Sequence, residues 1–287
     1  MEPRAAVRAL QDILRDCTLC PRACHVDRTG GQVGTCRIGA RAVVASAGPH
    51  FGEEPVLVGA AGSGTIFFSG CNLDCAFCQN ADISHSRAGQ KLVPGEIAEI
   101  ALGLAGRGCA NVNFVTPTHV AHAVAEAIVI ARENGLAVPT VYNCGGYESP
   151  ETLRLLEGLI DIYMPDFKWA DAEAGKRFSG VPDYPEVATA ALAEMVRQVG
   201  PLDVVGGVAK RGVMVRHLVM PNDLAKSRAV IDLVAEAAPP CAINVMAQYH
   251  PAYRARRFPE LLGRPDPDDV TDLRRYAASR GLVRVDH

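Results

Sequence analysis

The sequence predicts an α/β fold, a parallel sheet with helices outside it, preceded by a small metal-stapled N-terminal module. Two observations carry this expectation. From Gly64 onward, short apolar runs alternate strictly with helical patterns, which is the signature of βαβ units around a parallel sheet. Residues 15 to about 48 are instead rich in Cys, Gly and Arg and lack a sustained apolar period. Such a segment folds around a metal rather than around a core of its own. The expected domains are therefore an N-terminal helix and Cys-rich module over 1–48 and an α/β body over 49–287.

The elements follow in order. Met1 to Leu14 reads as an amphipathic helix with both charge signs. Thr65 to Ser69 is a short buried-strand run. Pro94 opens a helix to Gly106, with Ile97, Ile100 and Leu104 on one face. Val112 to Val115 is the next strand. Thr118 is placed to cap a helix carrying Val120, Val124, Ala127, Ile128 and Ala131, stopped near Gly135. Val138 to Tyr142 is a third strand, and Ser149-Pro150 opens a helix with Leu153 and Leu156. Ile160 to Met164 and the helix Pro185 to Val199 form the fourth unit. Val213 to Val219, Ala225 to Ala237 and Ala242 to Met246 give a strand, its helix and a sixth strand, and Asp266-Pro267 caps a last helix. Six such units are fewer than the eight of a closed barrel, and an open doubly wound sheet shares the pattern.

Composition excludes several classes. Hydrophobic residues make up 48% and charged residues 21% of the 287, as in ordinary globular enzymes. A net charge of −3 gives no argument for nucleic acid or an anionic membrane. The N-terminus has no apolar segment followed by a small-residue cleavage site, and no run has the length of a membrane span. A cytoplasmic protein is expected. Its ten cysteines, seven of them in two tight groups, read as metal ligands in a reducing compartment.

Cys71-Asn-Leu-Asp-Cys75-Ala-Phe-Cys78 is C-x3-C-x2-C where the first strand ends, with Phe77 in the penultimate position. Three thiolates on one loop can hold three irons of a four-iron cluster. A ferredoxin-type run supplies a fourth cysteine nearby, whereas here none follows until Cys109. The fourth iron is left open, and an open coordination position marks a catalytic site. The bland alternatives are a zinc loop borrowing a distant ligand, or three cysteines packed as small hydrophobes.

The stretch Gly64 to Asn80, GTIFFSGCNLDCAFCQN, resembles the cluster loop of radical S-adenosylmethionine (SAM) proteins. It is most similar to the branch of glycyl-radical activating enzymes of the pyruvate formate-lyase activase type. The resemblance implies a partial (β/α)6 barrel of TIM-like kind, with SAM bound across the strand C-termini beside the cluster. Activases carry a Gly-Gly-Glu-type stretch after the second strand, whose backbone holds the SAM amino group. This chain departs from it with Val115-Thr-Pro-Thr-His119, which puts Thr116 at that contact. Asn143-Cys-Gly-Gly146 resembles the activases' Asp-Thr-Asn-Gly, and Asp166-Phe-Lys168 resembles their Asp-Leu-Lys segment beside SAM. Arg216, and His250 of Tyr249-His250, match an Arg and a Tyr-His near the activase site. Thr116, Asn143, Asp166, Lys168, Arg216 and His250 are thus the expected SAM-binding set.

Cys17, Cys20, Cys24 and Cys36 form C-x2-C-x3-C-x11-C. Four soft ligands fit either a structural zinc or a closed iron–sulfur centre, with a lean toward iron–sulfur because the chain must already be loaded with one cluster. Cys109, Cys144 and Cys241 read as core fillers, and His119 with His122 as a solvated or capping pair. Arg254, Arg256 and Arg257 read as a solvated loop, and Trp169 carries no functional indication.

The expected activity is reductive cleavage of SAM to a 5′-deoxyadenosyl radical, which abstracts hydrogen from a substrate. The expected donor is an external one-electron reductant such as flavodoxin or ferredoxin. A glycine of a partner glycyl-radical enzyme leads as substrate; a small molecule, peptide or nucleotide comes second. A reading of another class is a two-centre iron–sulfur carrier or metal-binding scaffold without SAM chemistry. Because residues 17–36 lack an apolar core, metal binding should supply most of their folding free energy, about 10 kcal/mol for zinc-like sites. Cys20→Ala should release one metal centre and expose this segment to proteases while the α/β body stays folded. Metal analysis and limited proteolysis check this, and anaerobic wild type lacking a second centre would refute it.

Overall fold

The computed structural model describes residues 2–85 and 87–285. Helix α1 (Pro3–Asp12) is capped by the Glu2 carboxylate and runs into a 3-10 turn. The cysteine-rich stretch then continues without regular structure to β1 (Ala42–His50), α2 (Pro55–Val58) and β2 (Ser63–Phe68). Helix α3 (Ala81–Ser84) and β3 (Gln90–Leu92) precede α4 (Pro94–Gly106), β4 (Val112–Val115) and α5 (Ala121–Glu133). Next come β5 (Thr140–Cys144), α6 (Pro150–Leu155), β6 (Ile162–Pro165), α7 (Ala172–Ser179) and α8 (Tyr184–Val199). The chain ends with β7 (Asp203–Val205), β8 (Val208–Leu218), α9 (Ser227–Ala237), β9 (Ala242–Met246), α10 (Pro267–Ser279) and β10 (Val283–Arg284).

The sheet order is β10-β9-β8-β6-β5-β4-β2-β1-β3, with β7 paired to β8. Every pair from β2 to β10 along that path is parallel, while β1 and β3 extend one edge antiparallel. Its two ends do not pair among the described residues. The result is an open run of seven parallel strands, in which the two-residue β10 extends the six, β2, β4, β5, β6, β8 and β9, expected for a partial (β/α)6 barrel.

Strand periodicity sorts the side chains into two cores. Tyr142, Tyr163, Val213, Val215, Ile243 and Val245 join the large core, where the helices cover the outer face. Val141, Ile162, Met214 and Ala242, near the strand starts, form a separate inner cluster with Leu57 of α2. The segment between β1 and β2 therefore closes the lower end of the arc with an apolar floor. Two positions beyond Val141, Met214 and Ala242, Asn143, Arg216 and Asn244 face the same lumen, and Asp166, four beyond Ile162, bridges to Arg216. Glu54 reaches them from the floor by accepting from Asn244 Nδ2 at 2.9 Å.

Several boundaries differ from expectation. Strand β5 begins at Thr140 rather than Val138 because Pro139 has no N–H for the ladder. Strand β6 begins at Ile162, since the Asp161 carboxylate accepts from the Thr140 N–H (2.8 Å) and Arg132 (3.0 Å) and fixes the strand entry. Thr118 does not cap α5; its hydroxyl donates to Glu148 at 2.6 Å, and a 3-10 turn starts the helix. The domain boundary at 48/49 falls inside β1. Val7, Leu10, Leu14, Leu19 and Ile38 belong to the same core as the barrel, so the N-terminal segment is docked on the body.

His217 lies opposite Arg216 in β8 and is fully buried. Its Nδ1 lies 2.7 Å from the Phe167 carbonyl and its Nε2 2.9 Å from Ser227 Oγ. Burial pushes its pKa from 6.5 down to about 4. Between those values the unfolded chain takes up a proton that the folded chain refuses, so stability present above pH 6.5 is lost as pH falls. The stability advantage of wild type over His217→Gln should shrink by about 2 kcal/mol between pH 6.5 and pH 5. Urea titrations at both pH values measure it; a constant difference would show that the folded histidine titrates normally.

Candidate active site

Strand β2 ends at the barrel mouth, and Gly70, in a left-handed conformation (φ 87°), turns the chain into the cysteine loop. The loop is pinned by the end of α7: Asp74 N–H donates to Ser179 O (3.1 Å) and Ala76 N–H to Phe178 O (2.8 Å). Phe77 packs edge-on against Trp169 at 5.6 Å. Trp169 Nε1 donates to Ser179 Oγ (2.8 Å), which leaves the Ser179 hydroxyl proton for Cys75 Sγ, 3.1 Å away. Ser84 Oγ lies 3.0 Å from Cys78 Sγ. The Ser84 hydroxyl donates to Asn80 O (2.8 Å), so Ser179 is the hydroxyl with a proton for sulfur; such a donor stabilises sulfur that carries charge and tunes an iron–sulfur centre.

Cys71, Cys75 and Cys78 all line one cavity of about 270 Å³ at the strand C-termini. Burial pushes the Cys75 thiol up to about 11, which Lys168 and Ser179 only partly offset, and raises Cys71 further. Such thiols stay protonated at neutral pH until a metal displaces the proton. Three thiols lining one cavity are a donor set of the kind that holds an iron–sulfur cluster.

The opposite wall is a charged network. Asp166 accepts from Lys168 Nζ (2.6 Å) and Arg216 Nε (2.9 Å). Arg216 also donates to Asn143 Oδ1 (2.7 Å) and pairs with Glu53 (3.5 Å). Burial alone would raise the Asp166 pKa, but Lys168 and Arg216 outweigh it and hold the carboxyl below its usual range. Tyr184 fixes the backbone beneath: its hydroxyl accepts from Lys168 N–H (2.9 Å) and lies 2.9 Å from both the Gly145 and Asp166 carbonyls.

The structure brings Thr116, Asn143, Asp166, Lys168 and Arg216 to the same cavity as the three cysteines. Thr116 holds a left-handed conformation (φ 59°) and donates its N–H to Asn143 O at 2.8 Å. His250 is not part of that wall; it is exposed, with Gln79 Nε2 3.1 Å from its Nδ1. Cys109 and Cys241 are buried core residues as expected, and Cys144 is buried but also borders the cavity. His119 and His122 are buried, each with Nε2 2.8 Å from a carbonyl, of Ser69 and Ala40. Burial drives their pKa values down to about 4 and about 3, so neither is solvated. Arg254 is tied to Asp74 of the cysteine loop at 2.6 Å.

Sequence reasoning missed Ser84, Trp169, Ser179, Tyr184, Glu53 and Glu148. Ser179 and Glu53 act through partners far away in the chain, and Ser84, though six residues from Cys78, belongs to no motif that marks it. Glu148 is the clearest case: buried between Thr118 and Tyr142 (3.2 Å), it has its pKa raised to about 8 by burial.

An arc of parallel strands, with three cluster-type thiols and a charged wall at its C-terminal face, defines an iron–sulfur α/β barrel protein. A model of the Radical SAM superfamily matches residues 65–207. A protein of Methanocaldococcus jannaschii, described as uncharacterised, is 32% identical over 265 residues, covering 89% of this chain and 72% of its own. The chain belongs to the radical SAM superfamily, whose members bind a 4Fe-4S cluster and SAM. Two solved structures are more distantly similar. The radical SAM methyltransferase TsrM of Kitasatospora setae, solved with cobalamin and a 4Fe-4S cluster, shows 17% identity and a TM-score of 0.47 over 64% of this chain. The FeFe-hydrogenase maturase HydG of Carboxydothermus hydrogenoformans shows 13% identity and a TM-score of 0.45 over 75%. The matches cover 36% and 56% of those two proteins.

Asp166→Asn leaves Lys168 without its anion and Arg216 with only Glu53, and removes a charged acceptor from the cavity. SAM affinity should fall about tenfold or more, since a hydrogen bond to a charged group contributes about 1.5–3 kcal/mol, with iron content unchanged. Titration of both proteins with SAM, read by cluster spectroscopy, checks this; equal midpoints would place Asp166 outside the SAM site.

Proposed function

We propose that this chain cleaves SAM reductively and directs the resulting radical to a glycine of a partner glycyl-radical enzyme. The observation that carries the SAM chemistry is the meeting of Cys71, Cys75 and Cys78 with the Asp166–Lys168–Arg216 network across one cavity. When bound, the cluster would supply one electron to the SAM sulfonium, at a cost in redox chemistry that the protein itself does not bear. The three cysteines would hold three irons, and the Ser179 hydroxyl would stabilise the sulfur of Cys75. Lys168 is placed to pair with the SAM carboxylate, and Asp166 and Asn143 to accept hydrogen bonds from its amino or ribose groups. The left-handed Thr116 turn would present backbone to the same ligand. Expected reductants are flavodoxin- or ferredoxin-type one-electron carriers.

For the substrate, the supporting observation is the rim. Gln79, Asn80 and Gln248 are exposed and border the cavity. Carboxamides can donate to and accept from peptide groups at once, which suits an extended polypeptide loop carrying a glycine. Among the described residues, no helix is long and apolar enough to cross a membrane.

Replacing Cys71, Cys75 and Cys78 together by Ala should abolish 5′-deoxyadenosine formation while the N-terminal metal is retained. Chromatography of the nucleoside product under reducing, anaerobic conditions measures this. Product above background from the triple variant would remove these cysteines from the reaction.

A further inference from the structure

Taking the SAM-cleaving reading above as its basis, we propose that Cys17, Cys20, Cys24 and Cys36 hold a redox-active iron–sulfur cluster that relays electrons to the Cys71–Cys78 loop. All four thiols line one small cavity, together with Arg28, Asn72 and His119. Two independent features show that this cavity is built for a charged occupant. Arg28 is only 2% exposed, donates to Gly39 O (3.2 and 2.8 Å), and has Nη1 3.7 Å from Cys17 Sγ. No carboxylate pairs with it among the described residues, and a buried guanidinium without an anion is costly. Metal-bound thiolates provide that anion. His119 is 1% exposed, and its Nδ1 has no hydrogen-bond partner.

The kind of metal follows from position. Four thiols on one small cavity are a donor set that suits either a tetrahedral zinc or an iron–sulfur cluster. Zinc carries no electron, whereas the location favours transfer. Cys36 and Cys71 border a common cavity of about 210 Å³. A Cβ at Gly70 would lie 2.8 Å from the Cys36 carbonyl, so the residue before Cys71 is packed against the quartet backbone. On the other side, Arg22 Nε donates to Asn72 O (2.8 Å) and its Nη1 to Gly180 O (2.8 Å), clamping the loop to the module. The two cysteine sets are thus joined through single residues.

This arrangement separates the electron entrance from the substrate entrance. Cys20, Cys24 and Cys36 are half-buried beside the exposed stretch 29–33, while the triad faces the mouth that SAM and substrate would cover. A low-potential one-electron donor of the flavodoxin or ferredoxin type reduces the quartet by one electron. The quartet is reoxidised as the loop centre gains that electron, with no bond or proton moved.

Anaerobically reconstituted protein, reduced with dithionite, tests the relay by iron analysis and electron paramagnetic resonance. Wild type should hold about eight irons per chain, four for each cluster. Cys17→Ala/Cys20→Ala and the triple Cys71/Cys75/Cys78→Ala variants should each hold about four. The reduced wild-type spectrum should show spin–spin broadening that the sum of the two variant spectra lacks. Arg28→Gln should keep about eight irons and lower the reduction potential of one centre only, a readout that does not depend on the cysteine variants folding. Bound zinc with about four irons in wild type, a spectrum equal to the simple sum, or an unchanged potential in Arg28→Gln would overturn the relay. Its failure is distinct from that of the SAM reading, which is decided by whether wild type forms 5′-deoxyadenosine.

Discussion

The buried cation Arg216 is the constraint around which the barrel interior is organised. It stands on β8 inside the arc, only about a fifth exposed, and must be neutralised there. Asp166 from β6 and Glu53 from the floor segment supply charge, and Asn143 from β5 takes a further N–H. Breaking a buried ion pair by removing one partner typically costs 3–5 kcal/mol. The strands carrying these groups therefore have to stay in register for the charges to remain paired. Beneath this layer the Leu57 floor excludes water from the strand starts, and above it the cavity opens.

The same layer sets the chemistry at the mouth. Asp166 binds both Lys168 and Arg216, so its carboxylate stays ionised and fixed in direction. Such preorganised charge costs little reorganisation when a ligand arrives. The cysteine loop is held from the other side by α7, Trp169 and Ser179, which come from a different part of the chain. Ligand wall and cluster loop are joined where Lys168 of the wall precedes Trp169 beneath the loop, and they face each other across the cavity.

The N-terminal segment joins the two regions. Its helix shares the barrel core, and Arg22 and Gly70 bring its cysteines against the catalytic loop. A segment without a core of its own gains its order from this docking. That explains why its composition reads as a separate module although its position is integral to the site.

The sequence alone determined the βα alternation, because burying both faces of a parallel sheet leaves an apolar run at every strand. It also marked the two cysteine groups, because each is compact in the chain. The placement of Thr116, Asn143, Asp166, Lys168 and Arg216 round one cavity agrees with their positions at strand C-termini. Only the tertiary structure decided the rest. The antiparallel edge pairs β1, rich in small residues and carrying Pro49, with the three-residue β3, so its propensity is weak and its pairing partners define it. Ser179, Trp169 and Tyr184 became site residues through hydrogen bonds and packing across more than a hundred residues in the case of Cys75 with Ser179. Exposure of His250 and burial of His119 likewise depended on which loops cover them. Hydrogen bonds and burial of this kind are long-range, and a linear pattern carries no record of them.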